Sequence, residues 1–222
     1  LPEQGIPGAK MSVLLVAAPT EIVSKYVSLI SSLGLEVVAV ETEVLATIRA
    51  LTVTNTTSPK SLLVRIGGDT TSFTIYGNGT IFLTQSVGTG GTAITRSLVS
   101  ELGLSLAQAQ QYKEQQGLDE AKLDGKVANA IKPVLDFITL EAKKVLGAYG
   151  SRTQTDPVKQ VILTGGGSIL PGIVPYFAQS LNLETEISDP FSSLNLTLEQ
   201  KQGIGQTGVM YDVAVGLAIK PT

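Results

Sequence analysis

Three glycine clusters hold the residues of this chain that could do chemistry. Gly67-Gly68-Asp69-Thr70-Thr71 separates the apolar run Leu62–Ile66 from a β-branched and aromatic run that reaches Tyr76. Gly90-Gly91 stands just ahead of a helical pattern that begins at Thr92, and Gly165-Gly166-Gly167-Ser168 follows the apolar run Val158–Leu163. A glycine turn between strands can aim backbone N–H groups and two hydroxyls at one point, a concavity suited to an anion and above all to phosphate. Glycines before a helix N-terminus form a second such seat. Three glycines after a strand let a ligand come close to the backbone. Each cluster also has a plain structural reading, as a hairpin turn, a helix start and a strand-to-helix bend.

Absences narrow the chemistry further. The 222 residues include no His and no Cys. That excludes a His-assisted or Cys nucleophile, a disulfide framework and the usual zinc ligands. Any metal would be a hard cation on oxygen, with magnesium beside phosphates the natural case. Lys and Arg number 16 against 19 Asp and Glu, a net charge of −3, and no basic cluster marks one element. Nucleic acid is therefore not an expected partner. Apolar runs such as Val13–Ala18 fall far short of the roughly 20 residues that span a bilayer, so direct membrane insertion is not expected. A cysteine-free chain fits the cytoplasm.

Several elements must position the clusters. Leu1–Lys10 reads as a loose opening segment. Met11–Ala18 and Leu35–Val40 read as strands on either side of a helix Thr20–Leu33, capped by Gly34, which makes a βαβ-type unit. A helix Glu43–Leu51 follows, and the polar stretch Thr52–Pro59 is the best domain boundary. Ser61–Ser86 then reads as a three-stranded antiparallel meander with turns at Gly67-Gly68 and Gly77-Asn78-Gly79. A helix from Thr92 to Leu102, a helix with a Ser105/Gln108 capping box, and a long amphipathic helix Lys126–Tyr149 come next. Pro133 should kink that long helix or mark a fresh start within it. Beyond the loop Ser151–Pro157 come the strand Val158–Leu163, the helix Gly172–Leu181, the strand Glu184–Ile187, a polar connection Phe191–Gln206 and a closing helix Tyr211–Ile219.

This order of segments, with RIGGDTT, VGTGG, LTGGGSILPGI and AVGLA at its landmarks, resembles the superfamily of actin, heat-shock chaperones and sugar kinases. Within it the chain is most similar to PilM-type proteins of type IV pilus assembly, through MSVLLVAAP, GLEVVAVETEVLATIRAL, SVGTGGTAITRSLVSELGLSLAQAQQYK and EAKKVLGAY. The resemblance implies an α/β fold, an actin-like (ribonuclease H-like) ATPase domain with mixed sheets flanked by helices, N-terminally incomplete. Residues 1–58 would be part of an N-terminal domain. Residues 59–222 would be a C-terminal domain whose last helix returns toward the first.

Carried over residue by residue, the resemblance puts Gly67, Gly68, Asp69, Thr70 and Thr71 at the β- and γ-phosphates of ATP or ADP with magnesium. Gly165, Gly166 and Gly167 would lie under the adenosine, with Ser168 at the edge of that turn. Glu141, Lys143 and Lys144 would border the ribose and adenine, and Gly90 and Gly91 would close that side. The alternatives are a solvated helix face for 141–144 and a simple helix start for Gly90-Gly91.

Two departures bear on function. The superfamily carries an Asp, which positions magnesium, where this chain has Arg65, so little or no ATP turnover is expected. Arg65 would pair with phosphate or with a nearby carboxylate, and Asp69 would compensate in part. The family's first phosphate hairpin, D-x-G-S/T, is absent from these residues, and a truncated chain is the expected reason. The implied function is a cytoplasmic nucleotide-binding scaffold, peripheral at the inner membrane. Its implied partners are the cytoplasmic tail of a PilN-like inner-membrane protein and other pilus platform proteins, and self-association is compatible with it. The other classes are an ATP-hydrolysing enzyme or small-molecule kinase, which needs a carboxylate base, and an actin-like protein of the FtsA cell-division or general-secretion type. The FtsA type needs a C-terminal amphipathic membrane helix, and the pattern at the end of these residues shows none.

Overall fold

A computed structural model describes residues 15–52, 59–152 and 156–221. They fall into two compact units, one ending at Glu41 and one spanning Thr42–Pro221. In the first, helix α1 (Thr20–Ser32) starts after Pro19 and ends on Gly34, whose φ of 75° is the left-handed cap expected. None of its residues is buried. Of the two strands expected beside it, residues 35–40 and 15–18 form no strand among the described residues, and Met11–Leu14 lie outside them, as does the opening segment. An apolar run becomes a strand only where another strand completes its backbone hydrogen bonds, and the described part of this unit offers none.

The second unit is built on one mixed sheet of order β3-β2-β1-β4-β5. Strands β1 (Ser61–Ile66), β2 (Thr71–Gly77) and β3 (Thr80–Val87) form the expected antiparallel meander. Its second turn has φ of 50° at Asn78 and 71° at Gly79, so the Asn-Gly pair makes the mirror-image turn that matches strand twist. Strand β4 (Gln160–Thr164) lies parallel to β1, and β5 (Glu184–Ile187) lies parallel to β4. The central strand is thus β1, covered on both faces, which accounts for its nearly continuous apolar sequence.

Helices cover each face. Leu62, Val64 and Ile66 of β1 pack with α3 (Gly91–Leu102), α5 (Lys126–Gly150) and α6 (Ile173–Leu181), through Ile94, Leu98, Ile131, Leu135, Ile138 and Phe177. Helix α5 runs through Pro133 as one element. On the other face Leu63, Tyr76 and Ile162 meet Ile48 of α2 (Glu43–Thr52). Helix α2 packs in turn on α8 (Asp212–Ala218). The helix expected at Glu43–Leu51 therefore belongs to the same compact unit as the sheet, and of the stretch Thr52–Pro59 residues 53–58 lie outside the described residues. Helix α4 (Leu106–Gln115) carries the expected capping box of Ser105 and Gln108. The connection Phe191–Gln206 corrects the sequence reading, because it contains helix α7 (Leu198–Ile204). Thr197 and Gln200 cap it by the same reciprocal pair of bonds.

Close approach fixes two helices together at one glycine. A Cβ on Gly216 of α8 would lie 1.8 Å from the carbonyl oxygen of Ala46 in α2, whereas one on Gly147 of α5 would meet nothing within 4 Å. Gly216→Ala is expected to cost about 2 kcal/mol as the helices part, a fall in Tm of roughly 4–8 °C for a chain of this size. Gly147→Ala should gain about 0.5–1 kcal/mol by removing a helical glycine. Thermal unfolding of both variants checks the contrast, and equal effects would refute this account of α2–α8 packing.

Candidate functional site

All three glycine clusters meet at the carboxyl edge of β1 and β4. Ile66 ends β1, and the turn that follows is closed by a bond of 2.9 Å from Gly67 N–H to the Thr70 carbonyl. The carbonyls of Gly67 and Gly68 point at the N-terminus of α3 and accept from Gly91 N–H at 2.9 Å and Thr92 N–H at 2.8 Å. Thr71 is buried, and its hydroxyl donates to the Thr89 carbonyl at 2.7 Å. Its side chain therefore joins the two loops instead of facing outward. A Cβ on Gly90 would fall 2.6 Å from the Gly67 carbonyl oxygen and 2.7 Å from that of Gly68, so only glycine lets the loops lie this close. Gly68, Asp69 and Thr70 are exposed, and their amides donate to no acceptor among the described residues. Three free donors on one turn are what an anion requires.

The Gly165–Ser168 turn sits beside the first. Gly165 has φ of 79°, its added Cβ would lie 2.6 Å from the Ile66 carbonyl oxygen, and one on Gly167 would lie 2.2 Å from Ile66 Cγ2. Those two glycines are demanded by packing on the end of β1. Gly166 is different, since a Cβ there would meet only Met210, at 3.5 Å. Ser168 is buried and closes the turn by donating to the Gly165 carbonyl at 2.7 Å. Past this turn a cavity of about 640 Å³ opens between Ile169–Pro175 and the 187–209 segment, with Phe191, Ile204 and Lys201 in its wall.

Helix α4 ties the two turns together and brings a residue that the sequence reading overlooked. Its end contacts the second loop, where Leu118 N–H donates to the Pro171 carbonyl at 2.9 Å. Nearer the first loop, Lys113 is half-buried and reaches the start of α3. Its Nζ lies 2.8 Å from Thr95 Oγ1 and 3.4 Å from the Gly91 carbonyl. Burial pulls this ammonium below the usual lysine pKa, with Glu114 opposing the shift. A lone lysine on a polar helix looks solvated in sequence, and only the packing of α3 on α4 reveals it. The other side-chain candidates sit on α5. Glu141 is buried, accepts from Gln85 of β3 at 3.4 Å and pairs with Lys144 at 2.5 Å, while Lys143 and Lys144 are exposed. Gln85 lies two residues before Val87, the register partner of Thr71.

Arg65 pairs with carboxylates, one of the two outcomes left open by sequence. Its Nε donates to Asp212 Oδ2 at 2.9 Å and its Nη1 to Glu43 Oε2 at 3.0 Å. Asp212, the first residue of α8, has no exposed surface. The same Oδ2 lies 3.1 Å from Thr47 Oγ1 and 3.2 Å from Thr164 Oγ1. Its Oδ1 is buried with no hydrogen-bond partner among the described residues. No group of three or more His, Cys, Asp or Glu able to hold a metal occurs among the described residues. No helix among them is long and apolar enough to cross a membrane.

A profile of the type IV pilus assembly protein PilM matches residues 2–222. The chain belongs to the PilM family. Its fold is actin-like, as its similarity to solved structures shows. A PilM–PilN type IV pilus biogenesis complex superposes with a TM-score of 0.75 at 24% identity, covering 91% of this chain and 59% of that one. The ethanolamine utilization protein EutJ from Carboxydothermus hydrogenoformans gives 0.66 at 22%, covering 91% and 62%. MreB 5 of Spiroplasma citri bound to AMPPNP gives 0.66 at 17%, covering 91% and 64%. This PilM-family chain thus spans less than two thirds of the length of each.

Removing Asp212 leaves Arg65 with Glu43 alone and takes the buried acceptor from the Thr47 hydroxyl, and breaking a buried pair typically costs about 3–5 kcal/mol. Asp212→Ala is expected to lose that much in urea unfolding, while Glu21→Ala, at an exposed pair on α1, leaves the midpoint unchanged. A loss at Asp212 no larger than at Glu21 would refute the role given to the pair.

Proposed function

We propose that this PilM-family chain is the nucleotide-binding part of a pilus-assembly scaffold that turns over little or no ATP. The observation that carries the reading is the charge at the end of β1. The glycine turns offer amides to a phosphate, yet the side chain beside them is Arg65, held by Asp212 and Glu43. Hydrolysis needs a group that positions water or metal at the phosphate, and the two carboxylates nearest Arg65 are spent on it. In this reading the Gly68–Thr70 amides hold phosphates on a turn backed by Gly90-Gly91, Lys113 adds a cation beside them, and the Gly165–Ser168 turn with the cavity past it takes the adenosine. The similarity to MreB bound to AMPPNP supports it at the level of fold. Glu141, Lys143 and Lys144 stay candidates for the ribose side.

The scaffold part of the proposal rests on the family and on the PilM–PilN complex as a similar structure. In it, residues 1–58 belong to an N-terminal domain and 59–222 to a C-terminal one, and the Gly216–Ala46 contact supports the return of α8 to α2. The protein works at the cytoplasmic face of the inner membrane, held there by the tail of a PilN-like protein. That tail binds in an extended form with apolar anchors in the N-terminal domain.

Calorimetric titration with ATP tests the nucleotide site. Wild type is expected to bind, and Lys113→Met to bind roughly tenfold more weakly, because a charge-assisted bond contributes about 1.5 kcal/mol or more. Steady-state turnover near about 1 s⁻¹, an ordinary enzyme rate, would reject the scaffold reading in favour of an ATPase. For the partner, fluorescence anisotropy with a labelled tail peptide is expected to show this chain binding at least roughly 30-fold more weakly than a full-length PilM protein, since each lost anchor costs about 2 kcal/mol. Equal affinity would move the partner site onto the 59–222 domain.

A further inference from the structure

The phosphate turn has a cation built into its back wall. Nη1 of Arg65 lies 3.6 Å from the position a Cβ would take on Gly67. The Arg65 side chain is 18% exposed. Asp212 holds Nε and Glu43 holds one hydrogen of Nη1, while nothing among the described residues accepts from Nη2. Across the turn stands Lys113, bonded to Thr95 and the Gly91 carbonyl, with no carboxylate within ion-pair distance among the described residues.

Magnesium does not fit this arrangement. It asks for oxygen ligands in a near-octahedral set, normally with one or two carboxylates besides the phosphates. Of the carboxylates near the turn, Asp212 is buried beneath Arg65 and Glu43 is bound to it. Asp69 is exposed on the turn itself and stands alone there. A divalent ion arriving with a triphosphate would meet a fixed guanidinium where a carboxylate would be needed, and like charges repel most where solvent is scarce.

We propose that this turn recognises a metal-free polyphosphate, with Arg65 and Lys113 supplying the positive charge that a bound metal ion would otherwise supply. Charge-assisted bonds from a guanidinium and an ammonium match phosphate oxygens directly. The inference rests on the nucleotide-binding reading above and adds to it the ionic form of the ligand.

The test titrates the whole chain with ATP twice, once with magnesium in excess and once in EDTA. Affinity in EDTA is expected to equal that in magnesium within about threefold, or to be tighter. Binding more than about threefold weaker in EDTA overturns the inference and leaves the nucleotide-binding reading standing. No binding under either condition overturns that reading, and this one with it. Arg65→Gln should bind ATP in EDTA at least roughly tenfold more weakly than wild type, with Arg65→Lys recovering most of the loss. A folded Arg65→Gln that binds ATP in EDTA as wild type does refutes the role of the guanidinium. Should Arg65→Gln fail to fold, the comparison of wild type with and without magnesium decides alone.

Discussion

A carboxylate with no access to water sits under the end of the central strand, and much of the second unit is arranged to make that tolerable. Burying a charge is expensive unless it is paired and hydrogen-bonded. Asp212 receives a guanidinium from β1 and hydroxyls from α2 and β4. Four elements must therefore be in register at one oxygen atom. Arg65 and Thr164 reach it together because they are register partners in the parallel pair β1–β4. Thr47 reaches it because α2 lies close against α8, and Gly216 permits that contact. The pair thus ties the helices of one face to the strand from which the phosphate turn springs.

The opposite face explains how the turns are aimed. Leu62, Val64 and Ile66 anchor β1 in the main core, so Gly67 leaves the sheet at a fixed point. The start of α3 is then held by amide bonds to the turn's own carbonyls. The partial positive charge of that helix end is spent first on the protein and only then on any ligand. The donors left for an anion are those of Gly68, Asp69 and Thr70, together with two cationic side chains.

Local chemistry was legible in the sequence, and long-range pairing was not. The Asn78-Gly79 turn, the Gly34 cap and the Ser105/Gln108 box were readable because each is decided within four residues. The box at Thr197 and Gln200 carries the same signature, but the segment around it has too few apolar residues to announce a helix. Arg65 could be flagged as out of place, yet nothing in the sequence names Asp212 as its partner. Lys113 was hidden for the same reason, because its burial depends on α3. The runs at Met11–Ala18 and Leu35–Val40 looked like strands from composition, but composition states only the demand for a neighbour, and residues 15–18 and 35–40 find none among the described residues.

Separation along the chain gives the ion pair a further meaning, in the order of synthesis. Arg65 and Asp212 are 147 residues apart, so at ribosomal speeds roughly 7–30 s pass between the appearance of the two. Through that interval the meander can form, as its contacts are local, and the guanidinium has Glu43 as a partner but not the buried carboxylate that joins it to α8. The α2–α8 face must stay open until α8 emerges, and its closure joins the two ends of the unit in a single late event. A nascent chain stopped before Asp212 would hold a formed hairpin with Arg65 paired to Glu43 alone and with α2 lacking the helix it packs on, the kind of intermediate that chaperones retain.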